Sequence, residues 1–198
     1  MYYRLKRIFD VFVSTIAILL LFPLCLIISV TIFLTSGAPV FFYQERVGKD
    51  WQPFKMIKFR TMVKNADKTG FGITSTYDDR ITPAGRFLRK YKLDELPQLF
   101  NVLKGEMSLI GPRPELIQYI NFYKDDYSTI LSIRPGMTDY AAIKFRDEES
   151  LIDKSNKEES YINRILPSKI ILYKKYLNEI GFLTDVKILL GTLKGILL

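Results

Sequence analysis

Val11 to Leu34 is a run without one charged side chain, and few folds can hold such a run. As a helix at ~1.5 Å per residue it reaches ~36 Å, enough to cross a hydrocarbon core of ~30 Å. The residues before it place Arg4, Lys6 and Arg7 beside Tyr2 and Tyr3, the basic and aromatic composition of a membrane edge. No Ala-x-Ala-like site follows, which argues against a cleaved signal peptide. The length of the run argues against a helix buried in a soluble core. Two features speak against a simple crossing. Pro23 lies mid-run and removes a backbone donor, which predicts a kink. Basic residues also follow the run, at Arg46, Lys49, Lys55, Lys58 and Arg60, so both flanks carry the charge that favours the cytoplasm. A helix that enters, bends at Pro23 and returns satisfies both features. A single-pass anchor with a tolerated proline is the other reading.

Of 198 residues, 48% are hydrophobic and 25% charged, enough for one domain beyond the apolar segment. The net charge of +8 points to an anionic partner: nucleic acid, phosphorylated small molecules or an anionic membrane surface. The absence of histidine excludes His-based acid–base catalysis, His-containing triads and the commonest zinc sites. Cys25 is the only cysteine, which excludes an intrachain disulfide and a Cys-rich metal site. Catalysis is left to carboxylates, Lys, Arg, Tyr, Ser or Thr. A metal would be a hard, oxygen-liganded ion such as Mg2+.

After a break at Thr35-Ser36-Gly37-Ala38-Pro39, Val40 to Gln44 reads as a strand and Arg46 to Asp50 as a turn. Phe54 to Met62 reads as a second strand with Lys55 and Arg60 exposed. Lys64 to Asp79 reads as a loop. Thr82-Pro83 starts a helix through Lys90, with proline at the first helical position. Asp94 is expected to cap the next helix, with Pro97 in its first turn and Leu96, Leu99, Phe100 and Leu103 as its buried face. Gly105 ends it. Further helices are expected over Glu115 to Ile130, Ile165 to Ile180 and, amphipathic, Leu183 to Leu198. Asp147 to Lys157 reads as a charged surface segment.

A carboxylate at a helix start meets free backbone N–H groups and the positive end of the dipole, and a phosphate is favoured beside it. Asp94 is therefore a candidate nucleophile toward phosphorus, and Glu95 a candidate holder of Mg2+ on a diphosphate. By themselves both have the bland reading of a cap and a surface acid. Arg113 between Pro112 and Pro114, and Arg134 before Pro135-Gly136, are guanidinium groups on stiffened turns, suited to bidentate phosphate contacts or to a local carboxylate. The Lys55, Lys58 and Arg60 cluster fits a solvated strand face or a membrane-surface patch.

Several segments together resemble a family. They are Lys6-Arg7-Ile8-Phe9-Asp10, Phe54 to Met62, Leu93 to Gly105, Met107-Ser108-Leu109-Ile110-Gly111-Pro112-Arg113-Pro114 and Arg134-Pro135-Gly136-Met137-Thr138. Their order and spread are similar to the small monotopic phosphoglycosyl transferases of the bacterial sugar transferase family. The resemblance implies transfer of a phosphosugar from a UDP-sugar to polyprenyl (undecaprenyl) phosphate at the cytoplasmic face of the bacterial inner membrane. UMP is released, as the first membrane step of glycoconjugate assembly. It implies Asp94 as the nucleophile that forms a covalent phosphosugar intermediate, Glu95 as the Mg2+-linked acid, and Lys58, Arg89 and Arg113 at the phosphates, with Arg134 a further candidate.

The fold implied is α+β and mostly helical. A re-entrant membrane helix broken at Pro23 covers residues 1–36, and a compact cytoplasmic catalytic domain with amphipathic membrane-surface helices covers residues 37–198. Larger members carry extra membrane-spanning helices ahead of the catalytic part, and this chain is expected to be of the small kind. Many members have Ser-Pro at the helix break, where this chain has Phe22-Pro23, so Ser29 or Thr31 would have to bond the freed carbonyls. Many continue Thr-Gly-Trp-Ala-Gln, where this chain has Thr138-Asp139-Tyr140-Ala141-Ala142, a region that bears on sugar or nucleotide recognition. The rival function is a non-catalytic, membrane-anchored polyanion-binding protein. It leaves the dyad and the proline-held arginines unexplained, and no nucleic-acid-binding motif is present to favour a nucleic acid partner.

Overall fold

The structure is a computed structural model that describes residues 2–66, 78–152 and 156–197. Parts of the loop expected over Lys64 to Asp79 and of the charged segment expected over Asp147 to Lys157 lie outside these residues.

Helix α1, Tyr2–Ser36, is a single helix of 35 residues with Pro23 inside it, long and apolar enough to cross a membrane. The expected break therefore does not end the helix. Proline removes one backbone bond and can be carried by the turns on either side. Ser29 and Thr31 donate to the carbonyls of Cys25 and Ile27, at 2.7 and 2.9 Å. Both carbonyls lie past the proline, so neither hydroxyl repairs the bond that Pro23 removes.

Both ends of α1 are built into the rest of the molecule. At the first end, Lys6 pairs with Asp185 at 2.5 Å, and Arg7 donates to the carbonyls of Val102 and Leu103 at 2.6 and 2.9 Å. Asp10 is buried and accepts from Ser108 Oγ at 2.7 Å and from the Leu109 N–H at 3.2 Å. At the far end, Arg60 Nη2 donates to the carbonyls of Ser36 and Gly37 at 2.8 and 2.6 Å, and Ile28 and Ile32 pack with Phe59 and Leu88. Between the ends the helix turns large apolar side chains outward, with Leu19 70% and Leu20 74% exposed.

Strands β1 (Phe41–Val47) and β2 (Pro53–Phe59) form an antiparallel hairpin in which Phe42 faces Lys58. The expected turn at Arg46 to Asp50 starts later, because Arg46 and Val47 belong to β1. Lys55 is exposed as expected. Arg60, expected to be exposed, is 7% accessible, since it is the group that satisfies the last carbonyls of α1. Helix α2 (Pro83–Lys90) begins as expected, with the Thr82 hydroxyl accepting from the Gly85 N–H at 3.0 Å. A Cβ on Gly85 would stand 2.0 Å from the Thr61 carbonyl oxygen, so only glycine lets α2 lie against the chain that follows β2.

Asp94 does not cap a helix. It lies in a single 3-10 turn, Leu93–Glu95, and α3 (Gln98–Lys104) begins after Pro97. Gly105, in the left-handed region at φ 86°, ends α3 as expected. The buried face of α3 is Gln98, Leu99, Asn101 and Val102, while Phe100 is 47% exposed. Asn101 explains the rotation. It accepts from the Ile57 N–H at 3.0 Å and donates to the Lys55 carbonyl at 2.8 Å, giving the edge of β2 a partner.

Strand β3 (Ser108–Ile110) leads to an extended stretch, then helix α4 (Ile117–Ile120) and, after a 3-10 turn, α5 (Lys124–Ile130). The expected long helix from Glu115 is thus divided and starts later. Glu115 is turned inward onto Arg46 and Tyr161. Strand β4 (Gly136–Thr138) pairs parallel with β3. Helices α6 (Tyr140–Lys144), α7 (Glu148–Leu151) and α8 (Lys157–Ser160) follow, then a π turn into α9 (Leu166–Asn178) and finally α10 (Phe182–Leu197). One core gathers Tyr127, Ile130, Ile165, Leu166 and Tyr173. A second gathers Met56, Val102, Met107 and Ile188, with Phe9 and Val13 of α1 packed against it. Among the described residues the architecture is mostly helical with two small sheets.

Candidate active site

Three backbone devices bring the polar residues together. The first is β2, which ends one residue after Lys58 and presents its ammonium to the turn that carries the dyad. Lys58 Nζ lies 3.2 Å from Glu95 Oε1. The second is the packing of the two proline-stiffened turns on each other. The Gly111 N–H donates to the Thr138 carbonyl at 3.0 Å, and the Gly136 N–H to the Pro112 carbonyl at 2.9 Å. A Cβ on Gly136 would stand 2.1 Å from the Gly111 nitrogen, so this contact requires glycine. The contact fixes Arg113, whose Nη2 ion-pairs with the same Glu95 Oε1 and whose Nη1 donates to the Met137 carbonyl at 3.2 Å. The third is α2, whose Arg89 Nε donates to Thr61 Oγ1 at 3.0 Å.

Lys58, Arg89, Asp94, Glu95 and Arg113 line one cleft of about 1590 Å³. Arg134 does not line it. Its Nε donates to the Gly105 carbonyl at 2.7 Å, at the end of α3. Pro23 also lies outside the cleft, in α1.

Asp94 and Glu95 sit side by side in opposite electrostatic states. Burial alone would raise the Glu95 pKa, but Arg113 and Lys58 outweigh it and hold this carboxyl well below the usual range. Asp94 is 6% exposed, and burial, with the Glu95 charge behind it, raises its pKa against the pull of Lys58, Arg89 and Lys92. Its Oδ1 is buried, and no donor among the described residues reaches it. A buried carboxylate oxygen with no donor is costly, about 1–3 kcal/mol or more for a charged group. The site thus holds one carboxylate whose demand is met and one whose demand is not.

Among the described residues no group of three or more His, Cys, Asp or Glu side chains is placed to hold a metal. The dyad still fits Mg2+. That ion is commonly bound through one or two carboxylates, with substrate phosphates and water completing its shell. The unpartnered Asp94 Oδ1 and the Glu95 carboxylate meet that requirement.

Three features of the site had no role assigned to them from the sequence, although Asp139 lies in the Thr138 to Ala142 segment expected to bear on sugar or nucleotide recognition. Lys92 precedes the dyad in the left-handed region at φ 55°, which turns the chain into the 3-10 turn. Arg46 pairs with Glu115 at 2.8 Å deeper in the same cleft, and Lys169 pairs with Glu148 at 3.0 Å. Asp139 accepts from the N–H groups of Arg113 and Ala142, at 3.2 and 2.6 Å, and burial raises its pKa to about 6. Only Asp139 had a local signal, an N-cap residue ahead of Tyr140-Ala141-Ala142.

The family described as bacterial sugar transferase matches residues 1–198. The chain is 42% identical over 145 residues to a UDP-N-acetylgalactosamine-undecaprenyl-phosphate N-acetylgalactosaminephosphotransferase of Aeromonas hydrophila, covering 72% of this chain and 34% of that protein. It is 40% identical over 163 residues to a UDP-glucose:undecaprenyl-phosphate glucose-1-phosphate transferase of Klebsiella pneumoniae, covering 79% of this chain and 34% of that protein. It is 38% identical over 196 residues to an uncharacterized sugar transferase, EpsL, of Bacillus subtilis, covering 98% of this chain and 87% of that protein. The chain therefore spans about a third of the first two relatives and most of the third.

Proposed function

This chain belongs to the bacterial sugar transferase family, and on that premise we propose that it moves a phosphosugar from a UDP-sugar to a polyprenyl phosphate, releasing UMP. The observation that carries the reading is Asp94. It is a buried carboxylate with an unpartnered oxygen, next to an acid already locked by two cations, in a cleft large enough for a nucleotide sugar and a lipid phosphate.

In the first step an Asp94 carboxylate oxygen attacks the β-phosphorus of the UDP-sugar. The bond from that phosphorus to the bridging oxygen breaks, and UMP leaves with the electron pair. In the second step a phosphate oxygen of the polyprenyl phosphate attacks the same phosphorus, and the Asp94 carboxylate is released. Lys58, Arg89 and Arg113 bind phosphate oxygens and offset the charge that gathers on the phosphorus in each step. Glu95 holds Lys58 and Arg113 in place, and its carboxylate, with Asp94 beside it, would hold Mg2+ against the diphosphate. The ion would supply charge neutralisation at the leaving phosphate.

The placement of α1 supports re-entry. Its first and last turns are bonded to the same domain, so a straight crossing would have to carry part of that domain through the bilayer. The outward Leu19, Leu20 and Phe22 would then dip into one leaflet, with the cleft on the cytoplasmic side of the inner membrane.

Incubation of the enzyme with a UDP-sugar and Mg2+, without acceptor, tests the reading. The expected result is one phosphosugar mass on the peptide bearing Asp94 and one equivalent of UMP. An unmodified peptide under conditions that support turnover would exclude the covalent route.

A further inference from the structure

Arg113 is held at both ends of its length by one short segment. Its guanidinium donates to the Met137 carbonyl at 3.2 Å, and its backbone N–H donates to Asp139 Oδ2 at 3.2 Å. The other carboxylate oxygen of Asp139 accepts from the Ala142 N–H at 2.6 Å and caps α6. Ala141 and Ala142, in that same first turn, line the cleft. One carboxylate therefore joins the backbone of the arginine that pairs with Glu95 to the helix that forms a wall of the cleft. It is 1% exposed and both its oxygens are used. The groups that face it are Arg113 on the turn after β3, Lys169 and Tyr173 on α9, and Tyr127 on α5.

We infer that Asp139 is a positioning residue for donor binding, which sets Arg113 against the diphosphate and ties it to the first turn of α6. The inference rests on the transferase reading above. A capping role and a positioning role are separable because the two oxygens do different work. Serine keeps an oxygen that can accept from the Ala142 N–H and has nothing to reach Arg113. Asparagine keeps one acceptor and turns an NH2 donor toward the other N–H, so it can satisfy one bond but not both.

The test is a double-mutant cycle in full-length enzyme, with UDP-glucose and UDP-N-acetylgalactosamine as donor probes and undecaprenyl phosphate as acceptor. Asp139→Ser and Asp139→Asn are each made alone and with Arg113→Ala, and melting temperatures are recorded throughout. The expected result is a fall of about tenfold in donor kcat/KM for either single variant. The acceptor KM stays within twofold, and the fall shrinks to under twofold when Arg113 is already alanine. An equal loss in both backgrounds would mean that Asp139 does not act through Arg113, and no loss at all would remove its role. Should Asp139→Asn melt too low to assay, Asp139→Ser answers alone, since it introduces no opposed donor. UMP release by the unmodified enzyme is the control. Its absence sinks the reaction itself, whereas additive losses with that release intact sink only the role of Asp139.

Discussion

Two acids in the cleft, Glu115 buried and Glu95 half-buried, are each held by an arginine and a lysine, and they differ in what lies beside them. Glu115 accepts from Arg46 at 2.8 Å and from the Tyr161 hydroxyl at 2.5 Å, and Lys169 stands 3.8 Å away. Glu95 is likewise held by Lys58 and Arg113, but the adjacent Asp94 keeps an oxygen that no donor among the described residues reaches. Charge density alone does not mark the reactive place, since both clusters are dense. What differs is the kind of group left over: around Glu115 it is the hydroxyls of Tyr119, Tyr127 and Tyr173, whereas beside Glu95 it is a carboxylate oxygen, an acceptor for an electrophile or a cation.

The largest effect that can break this contrast is at Asp94. Asp94→Asn should lower turnover by on the order of 10⁴-fold or more, as removal of a nucleophile does, and at the same time raise the melting temperature. Its folded pKa is raised, so the ionised carboxylate weakens the fold at neutral pH, and that penalty fades as pH falls through the raised value. The gain in stability should therefore shrink as pH falls, read by thermal melts over an acid series. Turnover of the unmodified enzyme should fall over the same descent as Asp94 takes up a proton.

Glu95→Gln should act in the opposite direction on stability. The depressed pKa of Glu95 means that its ion pairs stabilise the fold above the ordinary carboxylate range, and that this is lost as pH falls. The variant leaves two cations without their acid. A few kcal/mol of stability should be lost, together with roughly 10²-fold in turnover, from equilibrium unfolding and steady-state rates. Glu115→Gln is the counterpart in the other cluster. It should cost about 3 kcal/mol for the same reason, while the kcat of the folded fraction stays within about threefold. A loss of chemistry as deep as that of Glu95→Gln would mean that the two clusters are one site.

The smallest effect belongs to Arg134, which lies outside the cleft and serves the last carbonyl of α3. Arg134→Ala should cost about 1 kcal/mol in a melt and leave the KM for the UDP-sugar within twofold. A large rise in that KM would return Arg134 to the phosphates, where the sequence had placed it.

Local rules made part of this fold readable. The uncharged run, the Thr82-Pro83 helix start and the Gly105 stop each depend on a few consecutive residues, and each lies where the sequence places it. Lys58, Arg89 and Arg113 were legible through the resemblance, because their segments keep the family order. Distant partners concealed the rest. Asn101 is buried because strand β2, far back in the chain, needs its amide. Arg60 is buried because α1 ends beside it. Apolar spacing predicted a face of α3 with Phe100 inside, but two buried polar residues, Gln98 and Asn101, turned that face away. The placement of Asp94 in a 3-10 turn follows from the left-handed Lys92 just before it, and nothing in a lysine announces that conformation.

The bonds at the first end of α1 bear on how this protein can be handled. Tyr2 and Lys6 meet Asp185 of α10, Arg7 closes the carbonyls at the end of α3, and Asp10 receives Ser108 and Leu109 of β3. A fragment starting at residue 37 would thus not be a soluble enzyme freed from its anchor. It would carry an exposed apolar seam beside Val102 and Met107, with Asp185 left to Tyr176 alone, Ser108 without Asp10, and the last turn of α3 without Arg7. Purification has to keep the lipid-facing helix, and a detergent that peels it away should inactivate the catalytic half along with it.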